Sequence, residues 1–268
     1  MKIGSLCTGY GGLDMAVEAH FNAQTVWCFE NDLYAAKLIE QRYGIENFGD
    51  LKELDMLQLP KVDIITAGYP CQPFSTSGER KGIDDERHLW PYILKVISQV
   101  RPSFVVLENV RGHLSLGFKE VLADLARIGY DCEWQLVRAS DIGAPHERSR
   151  LFAVAYPNGT RWRVPLSIET TADPASTGSQ GCKHTRGRFE CSSCKAASAV
   201  PDALDSKGRL SPVYVEYMMG LPNGWVTDLD LSRSQQFKIL GNGVVPQQAY
   251  YALQLLVKLD THSEQDLS

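Results

Sequence analysis

The sequence predicts an α/β fold built on a mostly parallel sheet. Through the first 155 residues, apolar runs of strand length alternate with longer runs that carry apolar residues at helical spacing. This alternation is typical of βαβ units, which place successive strands in one sheet. The chain has 268 residues, 44% of them hydrophobic, and is therefore large enough to bury a full core.

Each predicted strand is a short β-rich run that ends at turn or polar residues. The run from Val62 to Ala67 must end near Gly68, because Pro70 and Pro73 cannot donate the hydrogen bonds of a sheet ladder. The predicted strands are residues 2–6, 25–29, 62–67, 103–107, 134–139 and 151–155.

The predicted helices carry apolar residues at intervals of three and four. Ile93, Val96 and Val100 lie on one stripe, and Pro102 stops that helix. Gly129 closes the next one. The predicted helices are residues 13–21, 35–43, 89–100, 116–128, 213–219 and 247–259, with Gly241, Asn242 and Gly243 just before the last of them.

The pattern changes after residue 156. Residues 157–204 are rich in Thr, Ser, Ala, Gly and Arg and have no sustained period, which indicates a small subdomain or a long functional loop. We therefore predict a large domain over residues 1–156, a small subdomain over 157–208, and a segment over 209–268 that returns to the large domain.

Composition restricts the class of protein. The amino terminus has no apolar segment long enough for a signal peptide or a membrane span, so we expect a cytoplasmic protein without a membrane partner. Seven irregularly spaced cysteines fit reduced thiols in a reducing compartment. The net charge of -5 argues only weakly against a nucleic-acid partner, because a basic cleft can coexist with acidic outer faces.

The peptide from Gly68 to Ser75 presents one cysteine between two prolines. Cys71 follows a predicted buried strand, and the carboxyl ends of strands are where ligands bind in open α/β sheets. A thiol at that place is a candidate nucleophile. The alternative is an incidental loop cysteine, since a single short motif carries a real risk of a false match.

Other predicted strand ends carry groups suited to a nucleotide-like ligand. Gly9, Gly11 and Gly12 would let a ligand approach the backbone and a helix amino terminus. Glu30 stands where such folds bind ribose hydroxyls, and Asp50 could accept a hydrogen bond from an adenine amino group. Singly, the glycines could form only a tight turn and the carboxylates could be solvated. Together, at successive strand ends, they predict a cofactor pocket.

A second carboxylate and two arginines extend the candidate chemistry. Glu108 follows the predicted strand 103–107, and burial there would raise its pKa and suit it to donate or share a proton. Arg148 and Arg150, at alternate positions, would point to one face of an extended chain, where they could hold a phosphate or a base carbonyl. The alternative for the arginines is a solvated surface pair.

The motifs, in their order along the chain, resemble those of the DNA cytosine-5 methyltransferase family of the bacterial or phage type. They are the glycine turn, the acidic strand end, Gly-Asp, Pro-Cys-Gln, Glu-Asn-Val, Arg-x-Arg and Gly-Asn-Gly-Val. The resemblance covers nearly the whole chain except residues 157–204. It implies a Rossmann-like methyltransferase fold that binds S-adenosylmethionine, a double-stranded DNA substrate, and target recognition by the 157–208 subdomain.

The resemblance also implies roles for individual residues. Cys71 would add to carbon 6 of a flipped cytosine, and Glu108 would contact ring nitrogen 3 and the exocyclic amine. Arg148 and Arg150 would hold the base carbonyl and nearby groups. Carbon 5 would then take the methyl group, and loss of its proton would release Cys71. The implied cofactor-binding residues are Cys7, Gly9, Gly11, Gly12, Glu30, Asn31, Asp50, Leu51, Pro70, Leu89, Asn242 and Val244.

Three positions depart from the family pattern. The family usually has aromatic residues against the adenine at the positions of Cys7 and Asn31, so stacking here must come from elsewhere or be weaker. The family's usual glutamine before Arg-x-Arg is His146, which leaves the hydrogen bonding of that loop open.

The 157–208 segment contains two pairs of soft metal ligands. Cys182 and His184 form one pair, and Cys191 and Cys194 form the other. They could enclose one structural zinc, which would stabilise a segment too small to build its own core. The alternative is free thiols in a loop, because Cys-x-His is not the commoner spacing. Five basic residues in the segment fit contact with DNA phosphates: Arg161, Arg163, Lys183, Arg186 and Arg188.

The main hypothesis is a site-specific DNA cytosine-5 methyltransferase that acts as a monomer, in the cytoplasm of a bacterial or phage-infected cell, with a cognate restriction endonuclease acting separately. One alternative is the related class of enzyme that methylates cytosine in transfer RNA. Another is a catalytically idle DNA-binding relative, against which the presence of both Cys71 and Glu108 argues.

Overall fold

The computed structural model of the protein describes residues 1–53, 59–70, 89–160 and 200–257, and these contain a seven-stranded sheet with helices on its faces. The strands are β1 (Lys2–Leu6), β2 (Gln24–Phe29), β3 (Glu46–Asn47), β4 (Ile64–Gly68), β5 (Phe104–Val110), β6 (Tyr130–Arg138) and β7 (Ser149–Pro157). The helices are α1 (Gly12–Phe21), α2 (Leu33–Arg42), α3 (Trp90–Val100), α4 (Phe118–Arg127), α5 (Pro212–Met218), α6 (Arg233–Asn242) and α7 (Pro246–Leu256).

The strand order across the sheet is β3-β2-β1-β4-β5-β7-β6. The first five strands in this order pair in parallel, and β7 runs antiparallel to both of its neighbours. The predicted α/β class with a mixed, mostly parallel sheet is therefore confirmed. Because β7 is reversed, its first residues lie at the same edge as the carboxyl ends of β1, β2, β4 and β5.

Side chains of the central strands alternate between two apolar layers, as the period of two in a strand requires. In β5, Val105 and Leu107 pack in the layer that contains α3 and α4. Phe104 and Val106 pack in the opposite layer, which contains residues of α1 and α7. Burial on both faces fixes the register of the strand, and so fixes where its polar end emerges.

The observed elements depart from the predicted ones in several places. Strand β3 was not predicted, and β7 begins at Ser149 instead of residue 151. Strand β5 continues beyond residue 107 to Val110 and so contains Glu108, because its last residues pair with β7.

Strand β6 begins at Tyr130, four residues before the predicted start, because outward-facing Asp131 and partly buried Glu133 interrupt the apolar pattern at the sheet edge. Helix α6 was not predicted, because few of its residues are buried and Gly241 and Asn242 read as a turn although they form its last turn. Within the described residues, no helix is both long and apolar enough to cross a membrane.

Candidate active site

A cavity of about 830 Å³ opens at the sheet edge where the parallel strands end. Strands β1, β2, β4 and β5 each deliver residues to it at their carboxyl ends, and the beginning of β7 and the end of α6 complete its wall. Most of the predicted site residues within the described chain line it: Cys7, Gly9, Glu30, Asn31, Asp50, Leu51, Pro70, Leu89, Glu108, Arg148, Arg150 and Asn242.

Glu30 is held rigidly at one end of the cavity. Its two carboxylate oxygens accept hydrogen bonds from the backbone of Gly9, at 2.7 Å, and of Asp32, at 2.8 Å. The side chain of Asn47 in turn bonds to both the backbone N–H and the carbonyl of Glu30, each at 3.0 Å. Burial raises the pKa of Glu30, although the two backbone N–H groups oppose that effect. The result is a fixed carboxylate at the end of β2.

Cys7 adopts a backbone conformation that is uncommon for a residue with a side chain. Its φ is +55°, and its N–H donates to the carbonyl of Phe29 at 2.9 Å. Burial and the nearby charges of Glu30 and Asp50 raise the pKa of the Cys7 thiol far above its ordinary value. The raised pKa favours the neutral thiol of Cys7, which lines the cavity.

Asn31 and Asp50 close the same end of the cavity with polar groups. The Asn31 amide donates to Asp50 Oδ2 at 3.3 Å, and Asp50 Oδ1 accepts from the backbone of Lys52 at 2.9 Å. Behind them, Phe29 and Leu51 supply apolar surface to the cavity. Phe29 is thus an aromatic residue that lines the same cavity as Asn31.

Glu108 and Arg150 form a buried ion pair at the other end of the cavity. Arg150 Nε lies 3.0 Å from Glu108 Oε1. Glu108 sits opposite Gly68 in the pairing of β4 with β5, so the ion pair lies beside the strand end that leads to Pro70. Burial raises the pKa of Glu108, although the positive charges of Arg150 and Arg148 oppose the shift. The carboxyl group is therefore suited to hold a proton.

Arg148 is bound differently from Arg150. Its Nη2 donates to the carbonyl oxygens of Gly243, at 2.6 Å, and Gly241, at 3.3 Å. Its Nε is buried and has no hydrogen-bond partner among the described residues. Arg148 thus connects the beginning of β7 to the junction of α6 and α7 while it lines the cavity.

Three residues that the sequence analysis did not assign support the strand end before Cys71. The Asn109 amide donates to the Tyr69 carbonyl at 3.1 Å. The Tyr69 hydroxyl lies 2.9 Å from His113 Nε2, and His113 Nδ1 lies 2.9 Å from the Leu116 carbonyl. Because that carbonyl can only accept, Nδ1 carries the proton, and Nε2 accepts from Tyr69. No local sequence pattern could have shown this contact, which joins residues 44 positions apart.

The side chain of His146, which stands where the family usually has a glutamine, also makes a hydrogen bond. Its Nε2 donates to the Met218 carbonyl at 3.0 Å. The loop before β7 is therefore tied to the end of α5. Lys238 of α6, a residue with no predicted role, lines the cavity and forms an ion pair with Asp32.

Some predicted site residues lie elsewhere or outside the described chain. Gly11, Gly12 and Val244 are not among the described residues that line the cavity; the Gly11 carbonyl accepts from the Tyr43 hydroxyl at 3.1 Å, and Gly12 packs against the Val244 carbonyl. The described residues contain no group of three or more His, Cys, Asp or Glu side chains that could hold a metal ion. Outside the described residues lie Cys71, Cys182, His184, Cys191 and Cys194.

Comparison with known proteins identifies the family. The family model described as C-5 cytosine-specific DNA methylase matches residues 1–188. The chain belongs to this family. The match includes every strand of the described sheet and two carboxylates of the cavity, Glu30 and Glu108.

Relatives of known class agree with this assignment. The chain is 32% identical over 156 residues to the Type II methyltransferase M.BsuFI of Bacillus subtilis, with 56% of this chain and 38% of the relative covered. It is 32% identical over 158 residues to M.HhaI of Haemophilus parahaemolyticus, with 57% and 48% covered. The chain thus spans about half the length, or less, of these two relatives.

Solved structures of low sequence identity share the fold. A putative DNA modification methyltransferase encoded within a prophage of E. coli superposes with a TM-score of 0.69 at 18% identity, over 95% of this chain and 97% of that one. The S. pombe Dnmt2 methyltransferase superposes with a TM-score of 0.66 at 17% identity, over 95% and 98%. The family's Rossmann-like methyltransferase fold therefore extends over nearly the whole chain.

Proposed function

We propose that the protein transfers a methyl group from S-adenosylmethionine to carbon 5 of a cytosine in double-stranded DNA. The observation that carries this proposal is the buried ion pair of Glu108 and Arg150, which shares one cavity with the fixed carboxylate of Glu30. The two ends of the cavity differ in chemistry. One offers hydrogen-bond acceptors for a nucleoside, and the other offers a proton-holding carboxyl group beside a cation.

The residues at the Glu30 end fit the cofactor. Each Glu30 oxygen retains a lone pair that can accept from a ribose hydroxyl. Asp50 offers a further acceptor at the rim, suited to an adenine amino group. A side chain added at Gly9 or Gly49 would meet no atom within 4 Å, so open space lies over both glycines. The cofactor, when bound, supplies an electrophilic methyl group.

The residues at the Glu108 end fit a cytosine that has left the duplex. A protonated Glu108 would donate to ring nitrogen 3, and Arg150, held by that carboxyl group, would donate to the base carbonyl. In this proposal the Cys71 thiolate forms a bond to carbon 6, which makes carbon 5 nucleophilic enough to take the methyl group. Methyl transfer leaves S-adenosylhomocysteine. The carbon 5 proton is then lost to solvent, and its bonding electrons re-form the double bond between carbons 5 and 6. The bond to Cys71 breaks to return the thiolate, while the proton on ring nitrogen 3 returns to Glu108. Unstacking the base costs a few kcal/mol, which contacts in the cavity offset.

The test of the nucleophile is Cys71→Ser, with Cys132→Ser as the matched control. Cys132 is a free cysteine on β6 whose thiol pKa is raised by burial to about 12, so it is unreactive. Cys71→Ser should lose both methyl transfer and covalent trapping by DNA that contains 5-fluorocytosine, while Cys132→Ser keeps both. Full activity in the Cys71 variant would refute the assignment.

The two alternative functions separate in one assay of the wild-type protein. Incubation with radiolabelled S-adenosylmethionine and either duplex DNA or transfer RNA should place the label in DNA. Label in RNA alone would establish the transfer-RNA alternative, and no label in either would favour an idle DNA-binding relative. The buried pair of Glu108 and Arg150 argues against an idle relative, because an unused buried charge is costly to keep. Bisulfite sequencing of DNA from cells that express the protein would then give the target site, on which pairing with a restriction endonuclease depends.

A further inference from the structure

We propose that Tyr10 is a positioning residue that joins the cofactor end and the base end of the active site. Its partner is the turn made by Gly243 and Val244, which we call the 243–244 turn. The inference rests on the proposed function and deepens it, because it states how the two halves of the cavity keep their relative position. Tyr10 belongs to the glycine turn between β1 and α1 but does not line the cavity itself.

Tyr10 holds the 243–244 turn from the cofactor side. The Tyr10 side chain is completely buried, and its hydroxyl donates to the Val244 carbonyl at 2.7 Å. Its ring lies so close to Gly243 that a Cβ there would come within 1.8 Å of the ring. Trp225 Nε1 donates to the Tyr10 carbonyl at 3.0 Å and so holds the backbone of the glycine turn as well. Tyr10 therefore contacts the 243–244 turn through both its hydroxyl and its ring.

Arg148 holds the same turn from the base side. Its guanidinium donates to the Gly243 carbonyl at 2.6 Å, one residue before the carbonyl that accepts from Tyr10. The backbone of Arg148 is fixed in turn by Gln248, whose amide donates to the Arg148 carbonyl at 2.7 Å. Two residues further along the chain, Arg150 pairs with Glu108. The successive carbonyls of Gly243 and Val244 thus accept hydrogen bonds from Arg148, at the base end of the site, and from Tyr10, at the cofactor end.

Close packing makes this shared turn effective as an anchor. A Cβ at Gly12 would lie 2.1 Å from the Val244 carbonyl oxygen, so α1 also rests directly on the turn. A buried carbonyl that loses its donor has to find another one, and in a close-packed interior it can do so only by moving the backbone. Loss of the Tyr10 hydroxyl should therefore shift the turn, and with it both the glycine turn and Arg148.

The experiment compares Tyr10→Phe with wild type in two measurements. The first is the dissociation constant of S-adenosylhomocysteine, measured by calorimetry without DNA. The second is kcat for methyl transfer to unmethylated DNA at saturating cofactor. Tyr10→Phe removes a single buried hydroxyl of a residue that does not line the cavity. We expect the dissociation constant to rise about 10-fold and kcat to fall about 10-fold, because small misplacements of positioned groups are costly.

The matched control is Tyr130→Phe. Tyr130 is equally buried, and its hydroxyl also donates to a backbone carbonyl at 2.7 Å, that of Pro102, which does not line the cavity. Tyr130→Phe should lower the melting temperature by an amount similar to Tyr10→Phe and leave both active-site measurements unchanged. A merely structural role for Tyr10 predicts equal behaviour of the two variants and would overturn the proposal.

A change in only the dissociation constant or only kcat would also overturn the proposal. A shift of the shared 243–244 turn must affect both the cofactor end and the base end of the site. If Tyr10→Phe does not fold, Trp225→Phe takes its place, since it removes the donor to the Tyr10 backbone and should affect both measurements in the same direction. Wild-type protein that methylates only RNA would refute the proposed substrate alone, and the comparison of kcat would then use RNA. Wild-type protein that does not bind S-adenosylhomocysteine would refute both proposals.

Discussion

Two carboxylates in one cavity, the buried Glu108 and the partly buried Glu30, have raised pKa values but different partners. Glu30 accepts two backbone N–H groups, which hold it in place as an acceptor. Glu108 faces the guanidinium of Arg150, and burial remains the largest influence on its pKa. A group that stays an acceptor suits ribose recognition, whereas a group that gains and loses a proton suits the base. The different partners of Glu30 and Glu108 thus suit these two glutamates to different roles.

Glu108→Gln should lower kcat for methyl transfer by about 10²- to 10³-fold and leave binding of S-adenosylhomocysteine unchanged, because proton transfer by a positioned group contributes on that scale. The sign of the pH effect follows from the raised pKa. Wild-type kcat should fall as the pH rises through that pKa and Glu108 loses its proton, and the variant should lack this fall. The pH profile of kcat measures this fall. The control is Glu120→Gln, at an exposed residue of α4. A variant with wild-type kcat would contradict the proton-holding role.

At the scale of elements, a buried polar cluster joins β1, β4 and α1 beneath the glycine turn. Asp14 of α1 accepts from Ser5 Oγ of β1 at 2.9 Å and from Thr66 Oγ1 of β4 at 2.5 Å. The Thr8 hydroxyl extends the cluster to the turn, at 2.9 Å from Ser5 Oγ. Burial raises the pKa of Asp14 to about 6 from an ordinary 3.8. The side chain of Asp14 therefore fixes α1 to β1 and β4 by hydrogen bonds, although burial makes its ionised form unfavourable.

Asp14→Asn should remove a pH dependence of stability. Since the folded pKa lies above the unfolded one, Asp14 stabilises the fold fully below about pH 4, and this contribution is lost as the pH rises to about 6. The loss amounts to roughly 3 kcal/mol. Asparagine can accept from Thr66 and donate to Ser5, so the cluster survives the change. The free energy of unfolding at pH 4 to 7 should decline less for the variant than for wild type. The account would be contradicted if the free energy of unfolding changed equally with pH in wild type and Asp14→Asn. It would also be contradicted if Asp230→Asn, at an exposed residue, differed from wild type by the same amount.

The sequence predicted those parts of the fold and site that depend on local pattern. The apolar run before Glu108 predicted a buried strand, which is confirmed. Strand β5 extends to Val110, however, so Glu108 lies within its last residues instead of after its end; Glu108 nevertheless lines the cavity. The Arg148 and Arg150 spacing predicted a shared location, and both line the cavity. Their distinct bonds could not be predicted, because the Gly243 carbonyl that binds Arg148 is 95 residues away. Helix α6 was missed because its stability depends on contacts with α2 and α5 more than on its own apolar stripe.

Across the whole molecule, the cavity draws on residues from position 7 to position 242, while residues 161–199, most of the predicted recognition subdomain 157–208, lie outside the described chain. Catalytic chemistry and choice of target would then be located in different parts of the chain. Under the proposed function the cavity contacts only the flipped cytosine, so readout of the neighbouring base pairs would depend on side chains that reach their edges from outside the cavity.

If Cys182, His184, Cys191 and Cys194 bind one zinc, metal analysis of the purified protein should find about one equivalent. Removing the metal with a chelator should then weaken DNA binding while binding of S-adenosylhomocysteine persists, because Glu30 is held by hydrogen bonds from Gly9 and Asp32, outside the 157–208 segment. Cys191→Ser with Cys194→Ser should reproduce the effect, with Cys132→Ser as the control. Less than about a tenth of an equivalent of zinc would favour free thiols.

The hydrogen bond between Tyr10 and Val244 spans 234 residues of sequence. A ribosome that adds about 5 to 20 residues per second needs roughly 10 to 50 s to make that length of chain. During this time the glycine turn already exists, but the carbonyl that anchors it does not. A nascent chain could thus form most of its sheet and still be unable to methylate anything, so activity would begin late in synthesis, when α7 packs on α1.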